Sequence, residues 1–88
     1  MSSTNVTLHN ESNAPIVAEL WWGCFKIDST TIKMNEKGHL NCEYVWYDLY
    51  VYQDIAAKPE LARRTGVYGY SSWVFTGTKI GDYHINPD

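Results

Sequence analysis

Apolar side chains recur at every second position through the first half of this chain, and a period of two commits it to β-structure. In residues 5–10, Val6 and Leu8 fall on one side, Thr7 and His9 on the other. In 16–22, Ile16, Ala18, Leu20 and Trp22 alternate with Val17, Glu19 and Trp21. Phe25 and Ile27 alternate with Lys26 and Asp28, which predicts a short third strand; Asp28-Ser29-Thr30 then reads as a turn, and Thr31–Met34 as the start of another strand. The longest signal runs from His39 to Tyr52 and contains neither glycine nor proline. There Leu40, Cys42 and Tyr44 share one face, and Val45, Tyr47, Leu49 and Val51 share another, opposite Trp46, Asp48, Tyr50 and Tyr52. The phase slips between Tyr44 and Val45, so a bulge or bend is expected inside what reads as the central strand.

Polar, glycine- and proline-bearing segments separate these runs: Asn10–Pro15, Gly23, Asn35–Gly38 and Gly77–Asp82. Val67–Tyr70, Trp73–Thr76 and Tyr83–Ile85 read as further short strands, the last an edge strand stopped by Asn86-Pro87. Residues 54–65 differ. Their alanines, Pro59 in a helix-starting position and Arg63-Arg64 before Gly66 predict a loop with one short helical turn near 59–64. The expected fold is therefore all-β: a small antiparallel β-sandwich or barrel of six to eight short strands, with residues 1–88 as a single domain.

The order Val6-Thr7-Leu8-His9-Asn10-Glu11-Ser12, a Trp-ended strand at 16–22, a turn at 35–38 and an aromatic strand at 44–52 resembles the β-domain of the von Hippel-Lindau tumour suppressor over residues 5–54. The L-x-P-G turn of that domain is replaced here by Met34-Asn35-Glu36-Lys37-Gly38. The resemblance implies a sandwich of about this size and carries no functional residue across.

Charge and composition narrow the function. The net charge is −3 and the only adjacent cations are Arg63 and Arg64, so the basic surface that nucleic acid requires is missing. No apolar run approaches the roughly 18–20 residues of a membrane span. Residues 1–5 lack the charged and apolar regions of a secretory signal. The cytoplasm is thus the expected compartment if Met1 is the native start, and the extracellular space if the chain is a trimmed precursor. Asn5-Val6-Thr7 and Asn10-Glu11-Ser12 match the N-glycosylation triplet. Cys24 and Cys42, both on expected strands, read as small buried hydrophobes or as one bridge.

No catalytic constellation stands out. His9, His39 and His84 are scattered without metal-ligand spacing, and no nucleophile motif surrounds Cys24, Cys42, Ser71 or Ser72. Glu19, Glu43 and Asp48 fit a solvated sheet face better than a carboxylate pair for glycoside hydrolysis. The expectation is a non-enzymatic protein with neither metal nor cofactor.

What remains is an aromatic load of four Trp, seven Tyr and two Phe in 88 residues. Each such ring can bury roughly 150–250 Å², more in sum than a thin core can enclose. Two clusters emerge, Trp46–Tyr52 and Tyr68–Trp73. Flat rings beside carboxylate and hydroxyl groups suit a sugar, whose C–H face stacks while its hydroxyls pair. Trp46, Asp48, Tyr50, Tyr70 and Trp73 are accordingly the candidate site of a small lectin, plausibly a homodimer because shallow sites gain from multivalency. The same residues also suit a protein-interaction module of inhibitor, immunity or adaptor type, or plain core and dimer packing.

Overall fold

The computed structural model describes residues 3–88, so the targeting and domain readings of residues 1–2 lie outside it. Eight strands follow in order: β1 (Thr4–Asn10), β2 (Ile16–Trp22), β3 (Phe25–Ile32), β4 (Lys37–Cys42), β5 (Trp46–Gln53), β6 (Glu60–Tyr68), β7 (Ser71–Thr76) and β8 (His84–Pro87). They form two four-stranded sheets, β4-β1-β7-β8 and β3-β2-β5-β6, packed as a sandwich. Every pairing is antiparallel except β1 with β7, which run parallel with Leu8 opposite Trp73. Among the described residues no helix is long and apolar enough to cross a membrane.

The inward phases named by the period-two pattern meet between the sheets. Val6, Leu8, Leu40, Cys42, Trp73, Phe75 and Ile85 come from the first sheet. Ile16, Ala18, Leu20, Ile32, Tyr47, Leu49, Val51 and Val67 come from the second. Both sheets bring the Val, Ile and Leu side chains that fit a pleated, half-buried surface.

Four sequence expectations are corrected. The segment near 59–64 is not a helical turn but the start of β6, an edge strand whose register against β5 shifts twice. Those shifts erase the alternation that would have marked it as a strand. Asp28-Ser29-Thr30 is not a turn. It lies inside β3, where the Asp28 carboxylate accepts hydrogen bonds from Ser29 N at 2.9 Å and Asn41 N at 2.8 Å. The run 39–52 is not one strand: the phase slip at Tyr44-Val45 is where the chain leaves the first sheet as β4 and enters the second as β5. Finally, Cys24 sits exposed in the β2–β3 turn while Cys42 is buried, and both are free thiols.

Polar clasps hold the two ends of the sandwich. At one end Asn10 is fully buried, and its Nδ2 donates to Ala14 O at 2.9 Å and Ile32 O at 3.1 Å. Its Oδ1 accepts from Ser12 N at 3.0 Å and Ser12 Oγ at 2.6 Å. One side chain thus closes the β1–β2 turn and ties it to the end of β3 in the other sheet. This also occupies the amide of the Asn10-Glu11-Ser12 triplet. At the opposite end Gly69 N donates to Val45 O at 2.7 Å, Cys42 Sγ donates to Gly69 O at 3.2 Å, and the Tyr47 hydroxyl accepts from Glu43 N at 3.0 Å. The crossover loop 43–45 and the β6–β7 turn are thereby locked together.

Candidate functional site

The aromatic residues divide by what their polar tips do. Trp73 Nε1 donates to Ser71 Oγ at 2.7 Å, Trp21 Nε1 to Glu19 Oε1 at 3.0 Å, and the Tyr83 hydroxyl to Asn13 Oδ1 at 3.0 Å. Tyr47 accepts from the Glu43 backbone. These rings are structural, since a buried ring normally finds a partner for its polar handle. By contrast, no protein group hydrogen-bonds the tips of Tyr44, Trp46, Tyr68 or Tyr70 among the described residues.

Those four rings also touch one another. Trp46 and Tyr68 are cross-strand partners with centroids 5.0 Å apart, Tyr44 lies 6.5 Å from Tyr68, and Tyr44 lies 6.4 Å from Tyr70. All are tilted pairs within the range of favourable aromatic contact. The locked loops described above place Tyr44, Trp46 and Tyr70 at one end of the sandwich. Trp46 is 63 % exposed and Tyr70 70 %.

Of the residues expected from sequence, Trp46, Asp48 and Tyr50 project from the same outward side of β5. Tyr70 joins Trp46 through Tyr44 and Tyr68. Trp73 does not join them. It points into the core beside Phe75, is 8 % exposed, and lies under the Arg64 guanidinium at 5.1 Å. The spacing Trp73-x-Phe75 on β7 was the available sign that its ring faces inward. Tyr44, which the period groups on one face with Leu40 and Cys42, lies beyond the last residue of β4.

A second group of rings covers the outer face of the β3-β2-β5-β6 sheet. Trp21 and Tyr50 lie 6.3 Å apart, and Tyr50 stacks near Tyr52 at 6.4 Å. Lys58 lies over Tyr52 at 4.9 Å and Arg63 over Tyr50 at 5.0 Å. Beneath them Glu19 is nearly buried and accepts from Lys58 Nζ at 2.6 Å. The signal for this group was present in the outward phase Val17, Glu19, Trp21 of β2, directly opposite Tyr52, Tyr50 and Asp48.

Burial alone would push the Glu19 carboxyl up. The Lys58 and Trp21 hydrogen bonds outweigh it and hold the group below its usual 4.5. A carboxyl held down in the folded state stabilises the fold above its unfolded value, and that gain is lost as pH falls through the folded value. Lys58→Met removes the main opposing charge, so the variant should be less stable than the wild type at neutral pH, and this deficit should narrow as pH falls and Glu19 protonates. Urea midpoints from about pH 3 to 7 read this directly; a deficit that does not change with pH would show that Lys58 has no hold on Glu19.

Neither a protein family nor a curated protein matches this chain in sequence, so the assignment of function rests on the surface just described.

Proposed function

We propose that this is a non-enzymatic binding protein whose surface of Tyr44, Trp46, Tyr68 and Tyr70 takes carbohydrate. The observation that carries the reading is a group of touching rings, with Tyr44, Trp46 and Tyr70 exposed and Tyr68 half-buried, whose polar tips have no partner among the described residues. Ring faces suit the C–H face of a pyranose, while the indole N–H and the phenol groups are left to pair with its hydroxyls. Asp48, two residues from Trp46 on the same side of β5, adds an acceptor for sugar hydroxyls. Each site is shallow, so useful avidity would come from several copies acting together.

A glycan array tests the reading. Binding by the wild type should fall by about 30-fold or more in Trp46→Ala, the loss expected of an aromatic anchor. The exposed position of Trp46 means that the thermal midpoint should barely change. An array with no signal, or binding that survives loss of Trp46, removes the reading. A protein partner would then be the better occupant, because Trp and Tyr are also favoured anchors at protein interfaces.

A further inference from the structure

The inward side of the sandwich is not covered along its whole length. In β2 the register slips between Leu20 and Trp21, and beyond it Trp22 pairs with Phe25 across the Gly23-Cys24 turn. Trp22 continues the core-facing phase of Ile16, Ala18 and Leu20, yet it is 55 % exposed. Among the described residues no strand of the first sheet buries it. The result is a groove of about 200 Å³ lined by Trp22, Ile27, Val45, Tyr47 and Glu43. It is smaller than the roughly 300–1,000 Å³ of drug-sized pockets and suits a head group of few atoms.

The charge in this groove is one-sided. Among the described residues no lysine, arginine or histidine lines it. The Glu43 carboxylate is exposed and forms no ion pair or hydrogen bond among the described residues. It nevertheless lies close to the groove wall. Burial pushes the Tyr47 phenol up, and the Glu43 charge adds to that shift. Asp28 and Glu43 likewise both act on Cys42 after burial has raised its thiol. The one cation of the hairpin, Lys26, pairs opposite Trp21 and acts on Glu19, on the outer face of the sheet.

We propose that this groove binds an organic ammonium group of the trimethylammonium type. An apolar wall with an indole face receives the methyl groups and attracts the cation through the ring quadrupole. The unpaired carboxylate supplies the complementary charge. A metal ion is a poor fit, because it requires several oxygen ligands and the groove offers one carboxylate among apolar side chains. A neutral apolar ligand would make no use of Glu43. The site is separate from the sugar surface, and Trp46→Ala leaves it intact.

The test follows the Trp22 indole N–H resonance during titration with tetramethylammonium and with choline. The neutral isostere 3,3-dimethyl-1-butanol serves as the control. Both cations should shift the resonance and bind about 10-fold tighter than the isostere, the scale of a partly desolvated cation–π contact. Glu43→Gln should reduce that preference about 5-fold. Trp22→Leu, which lacks that indole resonance and is followed by titration calorimetry instead, should abolish binding of both cations. Both side chains are exposed, so the variants should keep the wild-type thermal midpoint. Equal binding of cation and isostere overturns the proposal. So does the absence of any shift at about 100 mM, far above a millimolar dissociation constant.

Vesicles then identify the source of the group. Sedimentation with phosphatidylcholine but not phosphatidylglycerol vesicles, reversed by Glu43→Gln, supports a lipid head group. Binding of choline without vesicle association supports a free ammonium ligand. Equal sedimentation with both lipids, insensitive to Glu43→Gln, counts against a choline-selective groove.

Discussion

Gly69→Ala is expected to lower stability by about 3 kcal/mol or more, toward the upper range of single substitutions. A Cβ at this position would fall on the backbone carbonyl of Glu43 and come within 3.2 Å of Val45 N. These are main-chain atoms, so no rotamer change relieves the clash. Either the crossover loop 43–45 moves or the bond from Gly69 N to Val45 O breaks, and both disturb the end of the sandwich that presents Tyr44, Trp46 and Tyr70. Gly66→Ala is the control. Its φ of 67° is in the left-handed region and nothing lies within reach of a new Cβ, so only the conformational cost of about 1–2 kcal/mol is expected. Urea unfolding of the two variants decides it. If Gly69→Ala is no worse than Gly66→Ala, the close approach of the two loops is not what fixes that position.

Asn10→Asp should be nearly as costly at neutral pH, about 3 kcal/mol, because the new side chain keeps the acceptor and loses the donor. Ser12 would still find an oxygen. The carbonyls of Ala14 and Ile32 would instead face a buried carboxylate with no hydrogen to offer. Such a carboxylate has its folded-state pKa raised, so the loss relative to wild type should shrink as the pH is lowered toward about 4 and the group protonates. For a domain of this size each kcal/mol corresponds to roughly 4–8 °C in the midpoint. A fall of about 12 °C or more at pH 7 is therefore expected by calorimetry. A fall of less than about 3 °C, or one independent of pH, would mean that Asn10 is not the clasp its hydrogen bonds describe.

The strands with undisturbed alternation were legible in the sequence, and the reasons are local. The period groups Val6 with Leu8, Leu40 with Cys42, and Tyr47 with Leu49 and Val51, and all of these are buried, while Tyr44 and Val45, grouped with them at the phase slip, are exposed. The readings failed where a backbone irregularity broke the period. β6 carries Gly66 in a left-handed conformation and two register shifts, so Leu61, Ala62 and Arg64 lose strict alternation, and their composition then resembles a helical turn. Trp22 illustrates a different limit. The period groups it on one face with Ile16, Ala18 and Leu20, which are buried, but whether a residue of that face is covered depends on where the opposite sheet ends. The aromatic excess was visible at once. Its division into structural and exposed rings was not, because it depends on partners such as Ser71 and Asn13, and Asn13 lies 70 residues from Tyr83.

The parallel pairing of β1 with β7 places a requirement on how the chain assembles. Within the second sheet β2–β3 and β5–β6 are each closed by a turn or a short loop, while β4, between β3 and β5 in the chain, belongs to the first sheet. The first sheet spans more of the chain. Its opening strand waits for residues near the other end of the chain, just as Asn13 waits for the carbonyl of Thr78, 65 residues away. During synthesis the inner face of the second sheet, with Leu20, Leu49 and Val51, therefore stays incompletely covered until β7 joins the β1–β4 pair, since non-local strands must pay their loop-closure entropy before contacts reward it. The second sheet is a template, and β7 and β8 are the lid that closes over it.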